Sequence, residues 1–271
     1  MELALFPLRT VLCPGVVLPL HIFEPRYRAL TERCLSEEAP FGVVLLRSGS
    51  EVGGGPVRLA SVGTMAEIRR TSQYADGRFE LVTVGTRRFR LDRAFEGREP
   101  YLVGDVTPLP EVLGDPDRAA RLADRVGRRF LRYLERTHAA GGGDVEVEVE
   151  IEIDEPGSSD AAAIGGRSRA SGPLEHGEVP APGTSVGADA LERLLQAARR
   201  IVSTQDPISL SHLLTGLLQV GMVERQRLLE APTAEERLAG LDAAIALEID
   251  LLGRRLRPLL VDPTALESRR N

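Results

Sequence analysis

The segment FPLRTVLCPGVVLPLHIFEPRYRAL, residues 6–30, sets four prolines into an otherwise apolar, strand-like run and then turns abruptly helical. Proline has no backbone N–H to give and a fixed φ, so a flat central strand cannot hold it without losing a ladder bond. The runs carrying Pro7 and Pro19 are therefore expected at sheet edges, or crossing from one side of a small barrel to the other. Proline used this way bends strands into a closed, irregular sheet.

Further strand-like runs follow: FGVVLLR, VGTMAEIRRTS, RFELVTVGTRRFRLDRAF and YLVGDVTPL, with turns expected at Asp76-Gly77 and around Gly85. Between them, EPRYRALTERCLSEE is the one good helix of this half. Pro25 suits its first turn, and Tyr27, Leu30 and Cys34, with Leu35 at the margin, form its inward stripe. One helix against several short strands makes an α+β unit. From Asp115 the apolar period becomes helical, with runs predicted at 116–138, 189–203, 208–220, 222–230 and 233–257. Thr233 and Glu236 stand at capping-box spacing at the head of the last run. Residues 139–188, rich in Gly, Ser, Pro, Ala and acids, have little to bury and read as a disordered insertion. The expected layout is a barrel over 1–114, a first bundle helix over 115–138, that insertion, and a helical bundle over 189–260.

Composition excludes several functions. The formal charge of −6 argues against a general nucleic-acid binder, which needs a basic surface. Two cysteines make no disulfide scaffold, and prolines interrupt the N-terminal apolar stretch, so neither a signal peptide nor a membrane span is expected; the chain reads as cytoplasmic. Lysine is absent altogether. GSEVGGGPVR at 49–58 therefore lacks the Lys and Ser/Thr that a phosphate-binding loop requires, and a Ser-Lys protease dyad cannot form. Cys13 and Cys34 fall among apolar neighbours, a setting for core thiols and not for reactive ones. Cys13, His21 and Cys34 are too scattered for a zinc site. No catalytic residue, metal ligand or cofactor site is expected.

The opening segment resembles the start of the Lon N-terminal domain, the substrate-binding region of the ATP-dependent Lon protease. VGTMAEI, VGTRRFRLDRAF and YLVGDVTPLPE resemble its later strands in the same order. DPISLSHLLTGLLQV and ERQRLLEAPTAEERLAGLDAAIALEIDLL resemble its helical half. The resemblance implies a PUA-like β-barrel followed by a helical bundle, in a free-standing member without ATPase or protease domains. It implies a non-catalytic module that binds unfolded or tagged polypeptides, and a link to an ATP-dependent protease. Cys13, where that family usually carries a large apolar residue, and the acidic insertion depart from the pattern.

Two groups are candidates for contact. Glu24, Arg26 and Tyr27 could form part of a peptide-contacting rim, or Glu24 could serve the helix N-terminus while Arg26 pairs with the barrel wall. On the 116–138 helix, Arg118, Arg121, Arg125, Arg128, Arg129, Arg132 and Arg136 share an arc beside Leu122, Val126, Phe130, Tyr133 and Leu134. That stripe reads as a solvated amphipathic face, as an RNA-binding surface of a PUA-like protein, or as a dock for DVEVEVEIEIDE at 144–155, whose acids alternate with Val and Ile and which could instead add to an open barrel edge, occupying a peptide-binding surface either way.

Overall fold

The computed structural model describes residues 1–48, 58–96, 99–140, 195–203 and 206–254. Most of the segment read as a disordered insertion, the acidic 144–155 stretch within it, and residues 49–57 lie outside the described residues. Among the described residues seven strands form a mostly antiparallel sheet: β1 (Glu2–Leu8), β2 (Val17–Ile22), β3 (Phe41–Ser48), β4 (Arg58–Leu59), β5 (Val62–Gln73), β6 (Phe79–Glu96) and β7 (Leu102–Pro108). Among the described residues six helices accompany them: α1 (Pro25–Glu37), α2 (Pro116–Ala140), α3 (195–203), α4 (Pro207–Leu217), α5 (Met222–Glu230) and α6 (Ala234–Gly253). The molecule is α+β.

The strands run in the order β1-β7-β6-β5-β3-β4, with β2 paired to β6 and a further pairing of β1 with β3. The prolines explain part of this path. Residues 2–4 of β1 pair antiparallel with β7, whereas residues 5–8 pair parallel with β3. Pro7 thus falls where the β7 ladder has ended, and β1 is a strand that changes partners, not an edge. β2 is an edge: among the described pairings it meets β6 alone, with Pro19 opposite Val82.

Strand β6 is long because it serves two neighbours in turn. Residues 79–84 pair with β2 and residues 89–96 with β7. Gly85 sits between these halves, inside the strand and not at a turn as expected. It exchanges hydrogen bonds with Gly15 and Val16 (2.7 and 3.0 Å), and a Cβ there would collide with the Cys13 carbonyl oxygen. Its glycine serves close backbone approach. The Asp76-Gly77 turn is present, with Gly77 at φ +82.

Helix α1 starts at Pro25 and buries Tyr27, Leu30, Thr31 and Cys34; Leu35 remains exposed. Tyr27, Leu30 and Cys34 pack with Phe6, Phe41, Phe79 and Leu81 of the sheet. A second core gathers Leu122, Val126 and Phe130 of α2, Leu214 of α4, and Leu238, Leu241 and Ile245 of α6. Each such side chain contributes about 1.5–3 kcal/mol on burial. Helix α4 opens at Asp206, whose carboxylate accepts from the Ile208 and Ser209 N–H groups, and α6 opens at Thr233, whose hydroxyl accepts from Glu236 N–H. A third cluster joins the two halves: Leu229 of α5 is buried with Val44, Leu45, Ala60 and Val62.

Candidate functional site

Charged side chains are buried where the sheet meets the helices. Arg88 of β6 is 2% exposed and Arg237 of α6 is 0% exposed. The Arg88 fork donates Nε–H to Glu111 Oε1 (2.8 Å) and a second N–H to Glu111 Oε2 (3.2 Å), while its remaining nitrogen donates to the Leu229 and Ala231 carbonyls, both at 2.8 Å. Arg237 donates to the Leu228 carbonyl (3.2 Å) and the Ser211 hydroxyl (2.7 Å). Both guanidiniums thus donate to carbonyls at the C-terminal end of α5, where the helix dipole favours cations. His212 of α4, equally buried, donates Nε2–H to Glu111 Oε2 at 2.9 Å, leaving Nδ1 unpartnered. That tautomer follows from an ionised Glu111.

Burial alone would raise the Glu111 carboxyl, but hydrogen bonds from His212 and Arg88 and their charges hold it down at about 2. Burial pushes His212 below its ordinary value, against the pull of Glu111. Burial, and then the charge of Arg88, bring Arg237 down to about 10. Every polar contact here is spent on joining β6, the segment after β7, α4, α5 and α6. The group is a structural joint. Sequence reading missed it, because Arg88 sits in an alternating strand run and nothing in RRFR distinguishes the buried arginine.

Both cysteines are free and buried. Burial raises Cys13 to about 12 and Cys34 to about 11. Among the described residues no three His, Cys, Asp or Glu side chains could together hold a metal ion, and no described helix is long and apolar enough to cross a membrane.

The structure separates the first candidate group. Tyr27 is 5% exposed and stacks on Phe6, centroids 4.0 Å apart at 11°, so its ring belongs to the core and not to a rim. Glu24 is the N-cap residue of α1 but makes no side-chain cap bond; it accepts from Arg26 Nε–H at 2.9 Å. Arg26 therefore pairs with its own helix entrance instead of the sheet wall, its guanidinium 4.5 Å from the Tyr27 ring.

The arginine stripe divides along its width. Arg118 pairs with Glu235 (2.9 Å), Arg125 and Arg129 converge on Asp242 (3.6 and 2.7 Å), and Arg136 donates to the Ile249 carbonyl (3.3 Å). All four contacts are with α6. These positions border the apolar arc, so the arginines flank the α2–α6 seam. Arg121, Arg128 and Arg132, farther round, are exposed, Arg128 lying 3.6 Å from Asp124.

What the surface offers instead is aromatic. Phe23, immediately past the edge strand β2, is 58% exposed, and Tyr74 at the end of the β5–β6 hairpin is 43% exposed. His21 lies between them, 6.2 Å from Phe23 and 6.3 Å from Tyr74 by ring centroids. Arg28 fixes the arrangement, donating to the Phe23 carbonyl (2.9 Å) and the Asp76 carbonyl (3.1 Å) across the gap between helix and hairpin. Tyr74 donates its hydroxyl to Glu80 at 2.7 Å, and the Arg78 guanidinium stands 5.3 Å from the Tyr74 ring. Beside this cluster Val17, Leu18 and Leu20 of β2 are half-buried.

A mostly antiparallel sheet backed by six helices, in this order, is the fold of Lon N-terminal domains. The N-terminal domain of the Mycobacterium avium complex Lon protease superposes with a TM-score of 0.56 at 17% identity, over 91% of this chain and 98% of that one. A Lon N-terminal domain protein from Xanthomonas campestris aligns over 90% of this chain and 98% of that chain, at 22% identity and a TM-score of 0.49. The chain belongs to the ATP-dependent protease La (LON) substrate-binding domain family, whose model matches residues 2–241. Among whole proteins it is similar to Lon protease 2 of Syntrophobacter fumaroxidans, 31% identical over 134 residues, and to the Lon protease of Phenylobacterium zucineum, 34% identical over 110 residues. These matches span 49% and 40% of this chain but only 17% and 14% of those proteins.

Proposed function

We propose that this chain is a non-catalytic polypeptide-binding protein that grips unfolded or tagged segments of other proteins, and that it serves ATP-dependent proteolysis as an adaptor or regulator. The observation that carries this reading is the exposed Phe23, held with His21 and Tyr74 at the end of an edge strand. Aromatic side chains give large contact area at low entropic cost, and a sequence-tolerant reader of unfolded chains needs such anchors more than fixed polar partners. Pro19 removes one donor from β2, so side-chain anchoring takes precedence over strand addition along this edge. Family membership supports the substrate-binding role, and the buried charged groups are occupied in joining the sheet to the helices. The pairing circuit β1-β7-β6-β5-β3-β1 supports reading residues 1–114 as the PUA-like barrel and the later helices as its attached bundle.

The test is fluorescence anisotropy with a permanently unfolded, carboxymethylated polypeptide. The Phe23→Ser/Tyr74→Ser variant is expected to bind about tenfold more weakly, as loss of central aromatic anchors commonly does. Unchanged affinity refutes the assignment. RNA binding, the other reading of this scaffold, draws on Arg121, Arg128 and Arg132 once the other four arginines are engaged with α6. Steeply salt-dependent retention of single-stranded RNA, lost in the triple Arg→Gln variant, would favour it instead.

A further inference from the structure

We propose that the cleft between α1 and the β1–β7 pair receives a cationic side chain of a bound polypeptide together with the apolar side chain next to it. The proposal rests on the polypeptide-binding reading and names a feature that its clients carry. The cleft has a volume of about 730 Å³ and lies on the side of α1 that carries Ala29, Arg33 and Glu37. Its floor is apolar: Phe95, Val103 and the buried Tyr101. Its rim carries three carboxylates, Glu2, Glu37 and Glu99, and a single cation, Arg33.

That cation is already engaged. Arg33 Nε–H points at both Glu37 oxygens (3.2 and 3.1 Å), and another of its N–H groups donates to the Tyr101 hydroxyl at 3.2 Å. The Glu2 and Glu99 carboxylates form no hydrogen bond or ion pair with a described residue. Glu2 is further burdened by its register partner across the ladder, Asp105 of β7, since like charges directly opposite one another on neighbouring strands repel. The Met1 ammonium donates to the Val106 carbonyl at 2.9 Å. Arg93 is the partner of Asp105 on the other side, and its guanidinium lies 5.6 Å from the Phe95 ring. Phe95 thus already meets one cation from within the chain, and its ring also lines the cleft.

An arginine or lysine seated between Glu2 and Glu99 would neutralise both, with its aliphatic stem along the floor. A neighbouring aromatic or aliphatic residue would cover Phe95 and Val103. An acidic segment would meet three carboxylates.

The test uses the full chain and three labelled peptides in one Gly/Ser background, carrying an Arg-Phe pair, a Glu-Phe pair or Phe alone. Glu2→Gln/Glu99→Gln changes only exposed side chains. We expect wild type to bind the Arg-Phe peptide more tightly than the other two, and the variant to lose about fivefold on it, the sum expected for two exposed ion pairs, with the Phe peptide unaffected. Equal binding of the Arg-Phe and Glu-Phe peptides by wild type, or an unchanged Arg-Phe affinity in the variant, overturns the proposal. A concentration-dependent dimer abolished by the same substitutions would also overturn it, assigning the cleft to a second copy. If Phe23→Ser/Tyr74→Ser weakens all three peptides while the glutamine variant weakens none, only the cleft assignment fails. If no peptide binds, the underlying reading fails with it.

Discussion

Arg88 is nearly inaccessible, yet all three nitrogens of its guanidinium are met: two carboxylate oxygens and two carbonyls at the end of α5 lie within 3.2 Å. Arg237 and His212 share the same carboxylate, Arg237 more distantly at 3.7 Å. One glutamate thus answers two buried cations, and a third cannot be added cheaply. Protonating His212 would add it. The folded imidazole titrates below its unfolded value of 6.5, so the stability it contributes is complete above pH 6.5 and declines as pH falls towards the folded value. Glu111 acts lower, its contribution present above 4.5 and lost as pH falls towards about 2. His212→Gln keeps a donor for Glu111 and removes the titration. In urea unfolding at pH 7.5, 6 and 5, wild type should lose stability with acidification by up to about 1.4 kcal/mol per pH unit for this one proton. The variant should stay closer to level until the carboxylate begins to titrate. Parallel slopes for the two proteins would show that His212 does not carry the effect.

Among the elements, α2 shows how one sequence pattern divides into two roles. Its arginines nearest the apolar arc close the seam with α6, where Asp242 is 16% exposed and receives both Arg125 and Arg129. The Arg129 N–H is directed at the Asp242 carbonyl, 3.0 Å away, so the carboxylate contact is an ion pair and not an aligned hydrogen bond. Asp242→Asn should cost about 1 kcal/mol, with two guanidiniums losing their counter-charge. The triple change of Arg121, Arg128 and Arg132 to Gln should stay within about 0.5 kcal/mol of wild type, as surface changes usually do. Chemical denaturation of both decides the matter, and equal losses would contradict the division. Much of this level could be read from sequence. Periodicity located α1, α2 and α6, and apolar runs located six of the seven strands. The two-residue β4 was missed because so short a strand has no pattern. The partner change within β1 and the role of Gly85 were not legible, since both depend on which distant backbone approaches. The site was less legible still. Sequence marks Tyr27 as polar-tipped and near a cluster of charges, but only packing shows that Phe6 covers it, and only the hairpin brings Tyr74 to His21 and Phe23.

For the whole molecule, the same joint determines whether sheet and helices behave as one unit. Leu229 anchors α5 in an apolar cluster of the sheet, Gln226 donates to the Val62 carbonyl of β5 at 2.9 Å, and Arg88 reaches from β6 into the end of α5. Few of these contacts are local in sequence, so neither half retains them alone. Replacing Arg88 by methionine keeps much of the side-chain volume but removes its bonds to the Leu229 and Ala231 carbonyls, leaves Ala231 only the longer bond from Arg237 (3.3 Å), and takes the fork from Glu111. Breaking one side of a buried pair typically costs about 3–5 kcal/mol. That loss falls on the contact between the halves and on neither core. Hydrogen exchange in increasing urea should therefore show β6 and α6 losing protection together in wild type. In Arg88→Met the helices should open at lower urea than the sheet, or the reverse, with two separate midpoints. A single shared midpoint in the variant would mean that Leu229 and its apolar neighbours couple the halves without the buried charges.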